Sequence, residues 1–149
     1  MVQVRSAIPA QSGSPDTGVD SPHTILVVED SFPLMEAMAL TLEGLGYRVV
    51  RASDGKEALD KFEAEDPDLV VLDLKLPVVS GFRLLRIFKG SADGRKVPVI
   101  VVTAMDFEEA EEVAAAGADD FLSKPFHVDQ LVRKVRFILG QPQLSPQPA

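Results

Sequence analysis

The 149-residue chain contains no cysteine. That excludes disulfides and thiolate metal sites, and it fits a reducing compartment. Basic residues are in deficit, with 15 Lys and Arg against 23 Asp and Glu, for a formal net charge of −8. A surface of that sign does not suit nucleic acid as a direct partner. Long apolar runs are missing too. None approaches the roughly 20 residues needed to span a bilayer, and the N-terminus lacks the apolar block of a secretory signal. No internal repeat is visible. The expectation is a cytoplasmic, soluble chain without membrane insertion. Its length suits one domain, and a hydrophobic content of 46% is enough for a sizeable core.

Residues 1–23 are rich in Ser, Pro, Gly, Asp and Gln and read as a disordered N-terminal arm. Residues 141–149, "QPQLSPQPA", read as a flexible C-terminal tail. Between them, residues 24–140 alternate short apolar runs with helical patterns. "TILVV", "RVVRA", "LVVLD" and "VPVIVVTA" are strands one to four, and "DDFLSK" holds strand five. In "SFPLMEAMALTLEGLGY", Met35, Met38, Ala39, Leu42 and Leu45 recur at helical spacing. Ser31 can cap that helix, Pro33 fits its first turn, and Gly44 and Gly46 end it. "DGKEALDKFEAED" is helix two, with Ala58, Leu59 and Phe62 inward and Pro67 as a stop. "GFRLLRIFKG" is helix three, and "DFEEAEEVAAAG" is helix four, acidic outside. In "HVDQLVRKVRFILG", helix five, Val128, Leu131, Val132, Val135, Ile138 and Leu139 share one face.

Strands one, three and four are apolar throughout, as when both faces of a sheet are covered. Five alternations of strand and helix predict an α/β fold, a doubly wound parallel sheet with helices on both sides. Ligands of such folds bind beyond the carboxyl ends of the strands, where the strand order reverses. Glu29 and Asp30 end strand one, Asp73 ends strand three, Thr103 and Ala104 end strand four, and Lys124 and Pro125 follow strand five. Three carboxylates at one edge repel one another and call for a cation. Magnesium takes such oxygens together with phosphate. Lys124 adds a positive charge, and Thr103 adds a hydroxyl donor. Together these are parts for phosphoryl transfer to a carboxylate nucleophile, Asp73, in which the protein mainly positions groups and neutralises charge.

With "ILVVEDS", "DLVVLDLKLPVVSG", "PVIVVTA" and "GADDFLSKPF" in this order, residues 24–140 resemble a response-regulator receiver domain of two-component signalling. The resemblance implies a flavodoxin-like sheet of order 2-1-3-4-5 with five helices. It implies a regulatory protein that assists its own phosphorylation and dephosphorylation rather than an enzyme. By this resemblance Asp73 is the phosphoacceptor. Glu29, Asp30, Asp73 and the backbone carbonyl of Lys75 hold Mg2+, with Mn2+ as a substitute. Thr103 is the switch hydroxyl, Lys124 contacts a phosphoryl oxygen, Lys124–Pro125 is a cis bond, and Phe121 matches the aromatic switch position, where a plain core residue of strand five is the other reading. A histidine kinase or a histidine phosphotransfer protein donates the phosphoryl group. A downstream protein target, or a second copy in a homodimer, meets the face made by helix four, strand five and helix five. With no output domain after Gly140, a stand-alone switch read through protein contact is expected.

Three features depart from the commonest family pattern. Val78, Val79 and Ser80 replace a Gly-Met-Asp-like turn, although Pro77 and Gly81 keep its turn chemistry. Lys75 and Met105 flank the acceptor region, where they are expected to obstruct the attacking water and lengthen the phosphorylated lifetime. His127 reads as a helix-start surface residue and His23 as part of the arm. Arg133, Lys134 and Arg136 read as a solvated basic face, opposite in charge to Glu108, Glu109, Glu111 and Glu112. Three rival readings fit the residues less well. An aspartyl phosphatase would favour a second acid where Lys75 stands. An interaction module that is never phosphorylated would not need the full acidic set. A DNA-binding regulator would need a second domain and a basic surface.

Overall fold

Strand β3 (Leu69–Leu72) buries all four of its side chains, and β4 (Val99–Thr103) all five. Strands this apolar on both faces need a layer of helices on each side. The computed structural model describes residues 22–90, 96–104 and 106–140. Most of the N-terminal arm (1–21), the C-terminal tail (141–149) and Met105 therefore lie outside the described residues. The remaining elements are β1 (Thr24–Val28), α1 (Phe32–Gly44), β2 (Arg48–Ala52), α2 (Gly55–Glu65), α3 (Gly81–Lys89), α4 (Phe107–Ala115), β5 (Asp120–Ser123) and α5 (Val128–Leu139). The sheet is five-stranded in the order β2-β1-β3-β4-β5, and every neighbouring pair is parallel. The fold class is that expected from the sequence pattern, and the strand order is the one the resemblance implied. Among the described residues no helix is long and apolar enough to cross a membrane.

Alternation along each strand feeds two cores. Ile25, Val27, Leu69, Val71, Ile100 and Val102 meet Met35, Met38, Leu42, Leu131 and Val135 of α1 and α5. On the other face Leu26, Val28, Val70, Leu72, Val99 and Val101 meet Ala58, Leu84, Leu85, Phe88 and Val113 of α2, α3 and α4. Each large apolar side chain so buried contributes about 1.5–3 kcal/mol. The expected inward face of α5 is present, with Val128, Ile138 and Leu139 packed at the margin of the first core. Leu59 and Phe62 of α2 pack at the margin of the second, where Phe62 stacks on Phe88 with ring centroids 4.4 Å apart.

Two local expectations need correction. Leu45 is exposed rather than on the core face of α1. The helix stops at Gly44, Leu45 is its C-cap, and Gly46 at φ +102° turns the chain, so helical spacing no longer applies there. Ser31 occupies the N-cap of α1, but its hydroxyl makes no cap bond. Its backbone N–H instead donates to Glu29 Oε2 at 3.0 Å. Pro33 does sit in the first turn.

The β3–α3 connection is built tightly. Gly81 N–H donates to the Leu74 carbonyl at 3.1 Å. A Cβ at Gly81 would collide with Leu74 Cα and come within 2.7 Å of the Asp73 carbonyl oxygen. Only glycine lets α3 begin this close to the Asp73–Leu74 backbone. Upstream, Val79 N–H donates to the Pro77 carbonyl at 2.9 Å, closing a γ-turn on Val78 at φ +75°. The turn survives without the usual glycine, but with a β-branched residue in the left-handed region.

Candidate functional site

Register alone brings the acids together. Val28 pairs with Leu72, so the next residues of the two strands, Glu29 and Asp73, emerge side by side. Asp73 N–H donates to the Val28 carbonyl and Glu29 N–H to the Ala52 carbonyl, both at 3.0 Å. Glu29 is 1% exposed and Asp73 3%. Asp30, one residue beyond the strand, is exposed. Oxygens of Glu29, Asp30 and Asp73 lie within 4.8 Å of one another.

Lys124 answers this charge from the far edge of the sheet. Its Nζ donates to Glu29 Oε1 at 3.0 Å and to Asp73 Oδ2 at 2.9 Å. Its backbone N–H donates to the Thr103 carbonyl at 3.1 Å, and the Lys124–Pro125 bond is cis, as the resemblance implied. Burial pushes the Glu29 carboxyl above its ordinary range. The Ser31 amide and Lys124 oppose that rise, and the like charge of Asp73 adds to it. Burial alone would lower the Lys124 ammonium, but its hydrogen bonds to Asp73 and Glu29 outweigh it and raise the group.

Lys124 pairs with two of the three clustered carboxylates, Glu29 and Asp73, so the acids outnumber the one ammonium. The donors are hard carboxylate oxygens, and two of the three residues, Glu29 and Asp73, are buried. That chemistry fits a hard divalent cation. Lys75 N–H donates to Asp73 Oδ1 at 2.9 Å, which brings the Lys75 main chain to the same cluster. Thr103, the last residue of β4, is fully buried. Among the described residues its Oγ1 is the buried side-chain atom without a hydrogen-bond partner. Such a donor is expensive unless something pairs with it in another state.

The expected aromatic switch is not part of this cluster. Phe121 is 40% exposed on β5 and borders a shallow groove with Ala110, Val113, Ala114 and Ala118. His127 is exposed, and its N–H is taken by Gln130 Oε1 at 2.9 Å. Lys134, grouped with the solvated basic face, is held by Asp120 at 3.0 Å within the chain. One contact was not anticipated: Lys75 Nζ lies 3.6 Å from Glu109 Oε2 on α4. The sequence shows the acidic first turn of α4 but not that Glu109 meets the acceptor loop.

Comparison with known proteins agrees with this geometry. The family described as response regulator receiver domain matches residues 25–136. The response regulator MprA of Mycolicibacterium vanbaalenii is 40% identical over 120 residues, covering 79% of this chain and 51% of that protein. The phosphate regulon transcriptional regulatory protein PhoB of Klebsiella pneumoniae is 37% identical over 124 residues, covering 82% and 53%. The chain thus spans about half the length of the curated relatives it matches. Among solved structures, a CheY-like receiver domain protein from Methanospirillum hungatei aligns with a TM-score of 0.75 at 31% identity, covering 81% of this chain and 96% of that one. The BeF3-activated DrrB receiver domain aligns with a TM-score of 0.73 at 31% identity, covering 80% and 98%.

Proposed function

The chain belongs to the response-regulator receiver family of two-component signalling, and from that premise we propose that Asp73 is its phosphoacceptor. The observation that carries the reading is the Lys124 bridge. One ammonium joins the two buried carboxylates at the carboxyl ends of β1 and β3. Asp73 Oδ attacks phosphorus of a phosphohistidine, a P–O bond forms, the P–N bond breaks, and the electron pair leaves with the imidazole. A carboxylate oxygen attacks as the nucleophile without a base to remove a proton. Lys124 holds a phosphoryl oxygen, and the Thr103 hydroxyl, unpartnered before transfer, donates to another.

A divalent ion, Mg2+ or Mn2+, held by Glu29, Asp30, Asp73 and the Lys75 carbonyl would offset the phosphoryl charge. The family implies a histidine kinase as partner. That kinase or a histidine phosphotransfer protein donates the phosphoryl group, and a protein target or second copy docks on the α4–β5–α5 face. Phe121 serves as the aromatic element of that face. Phosphorylation biases a two-state equilibrium there. Incubation with a small phosphodonor and magnesium should add one phosphoryl group to the intact mass. Asp73→Asn should abolish the gain, and an unmodified wild-type chain would overturn the assignment.

A further inference from the structure

The Lys75–Glu109 contact joins the acceptor loop directly to α4. Lys75 is rooted at the site, because its N–H holds Asp73 Oδ1 at 2.9 Å. Its side chain puts Nζ 3.6 Å from Glu109 Oε2, with the lysine side chain 58% exposed. Glu109 is not a loose surface acid. Its Oε1 accepts the Asp106 N–H at 3.3 Å, and its own N–H donates to Asp106 Oδ1 at 2.9 Å. This reciprocal capping box fixes the carboxylate, which lowers the entropy lost when a lysine pairs with it.

The helix it holds is lightly anchored. Among the described side chains of α4 only Val113 is buried, whereas α1 buries Met35, Met38, Ala39 and Leu42. Elements with few buried apolar contacts open at low free energy. A single ion pair therefore weighs more on α4 than it would on α1.

We propose that the Lys75–Glu109 pair is a phosphorylation-sensitive tether between the β3–α3 loop and the first turn of α4. The proposal rests on Asp73 being the acceptor. Before transfer, Lys75 is pulled toward Glu109, since Lys124 already serves Asp73 Oδ2. A phosphoryl group brings a charge of about −1.5 to −2 and three strong acceptor oxygens. It then competes with Glu109 for the Lys75 ammonium, which sits on a flexible stem. As Lys75 turns to the phosphoryl oxygens, Glu109 is released and the first turn of α4 loosens. The loop that receives the signal thereby passes it to α4 by exchange of one cation.

Hydrogen exchange on the full chain tests this, with wild type, Glu109→Gln and Lys75→Gln compared with and without beryllofluoride plus magnesium. Glutamine at position 109 keeps the capping box and removes only the charge. Without ligand, both variants should raise exchange in the first turn of α4 about two- to fivefold, the range of one exposed ion pair. Beryllofluoride should produce a similar rise in wild type and little further rise in either variant. Glu109→Gln should also bind beryllofluoride more tightly, because Lys75 is no longer shared, and Lys75→Gln should not. Equal ligand-free exchange in all three proteins overturns the tether. So does a wild-type response to beryllofluoride in both variants. Failure of wild type to bind beryllofluoride in an Asp73-dependent way overturns the site reading, and the tether's switching role with it. The ligand-free comparison separates these outcomes, because it does not depend on Asp73 chemistry.

Discussion

Lys124 Nζ donates to Asp73 Oδ2 at 2.9 Å, linking residues 51 positions apart at the carboxyl edge of the sheet. The same ammonium serves Glu29, which is buried on the neighbouring strand. Replacing it by Lys124→Met leaves two buried carboxylates uncompensated. The expected loss is about 1–3 kcal/mol, below that of a fully buried pair because the lysine side chain reaches solvent. Urea unfolding in the absence of divalent ions measures it. An unchanged midpoint would mean that the bridge does not hold the acids.

The opposite sign is expected for the acceptor itself. In metal-free buffer the acidic cluster is overcharged, so Asp73→Asn should stabilise the fold by about 1 kcal/mol. Added magnesium should then stabilise wild type by mass action and the variant much less, reversing the order. Thermal midpoints across a magnesium titration read both effects. Midpoints insensitive to magnesium in both proteins would remove the divalent site.

Val78 supplies a test of backbone strain. Its φ of +75° suits glycine, and the residue is 77% exposed, so truncation removes little packing. Non-glycine residues in this region carry about 1–3 kcal/mol of strain. Part of the relief is offset by the extra freedom glycine gives the unfolded chain. Val78→Gly should therefore gain about 0.5–2 kcal/mol and exceed Val78→Ala, which keeps a Cβ. Chemical denaturation of the three proteins decides it, and a less stable glycine variant refutes the strain.

What could be read in advance depended on how many neighbours a residue needs. Strands β1, β3 and β4 were legible because burial on both faces leaves an unbroken apolar run. Glu29, Asp73 and Lys124 were legible because strand ends in a parallel sheet share one edge. The Ser31 cap was misread because its amide is fixed by Glu29, a contact that helix signals do not contain. Leu45 was misread because spacing continues past the residue where the helix stops. Glu109 escaped because its meeting with Lys75 depends on how a loop and a helix from different parts of the chain approach each other. Phe121 could be named as a residue, but its exposure is a rotamer choice that no pattern encodes.

Thr103 separates structural from signalling roles. Its Oγ1 is buried without a partner. Valine has the same shape and no hydroxyl, so Thr103→Val removes a desolvated donor and loses no hydrogen bond in the ligand-free protein. A gain of about 1 kcal/mol in unfolding free energy is expected. Binding of beryllofluoride should move the other way. A hydrogen bond to a charged group contributes about 1.5–3 kcal/mol, so affinity should fall about tenfold or more. Calorimetry with magnesium present measures the affinity, and denaturant unfolding without it measures the stability. A hydroxyl kept only for packing would give a destabilised variant with unchanged binding. Opposite signs in the two experiments are what a donor reserved for the phosphoryl group requires.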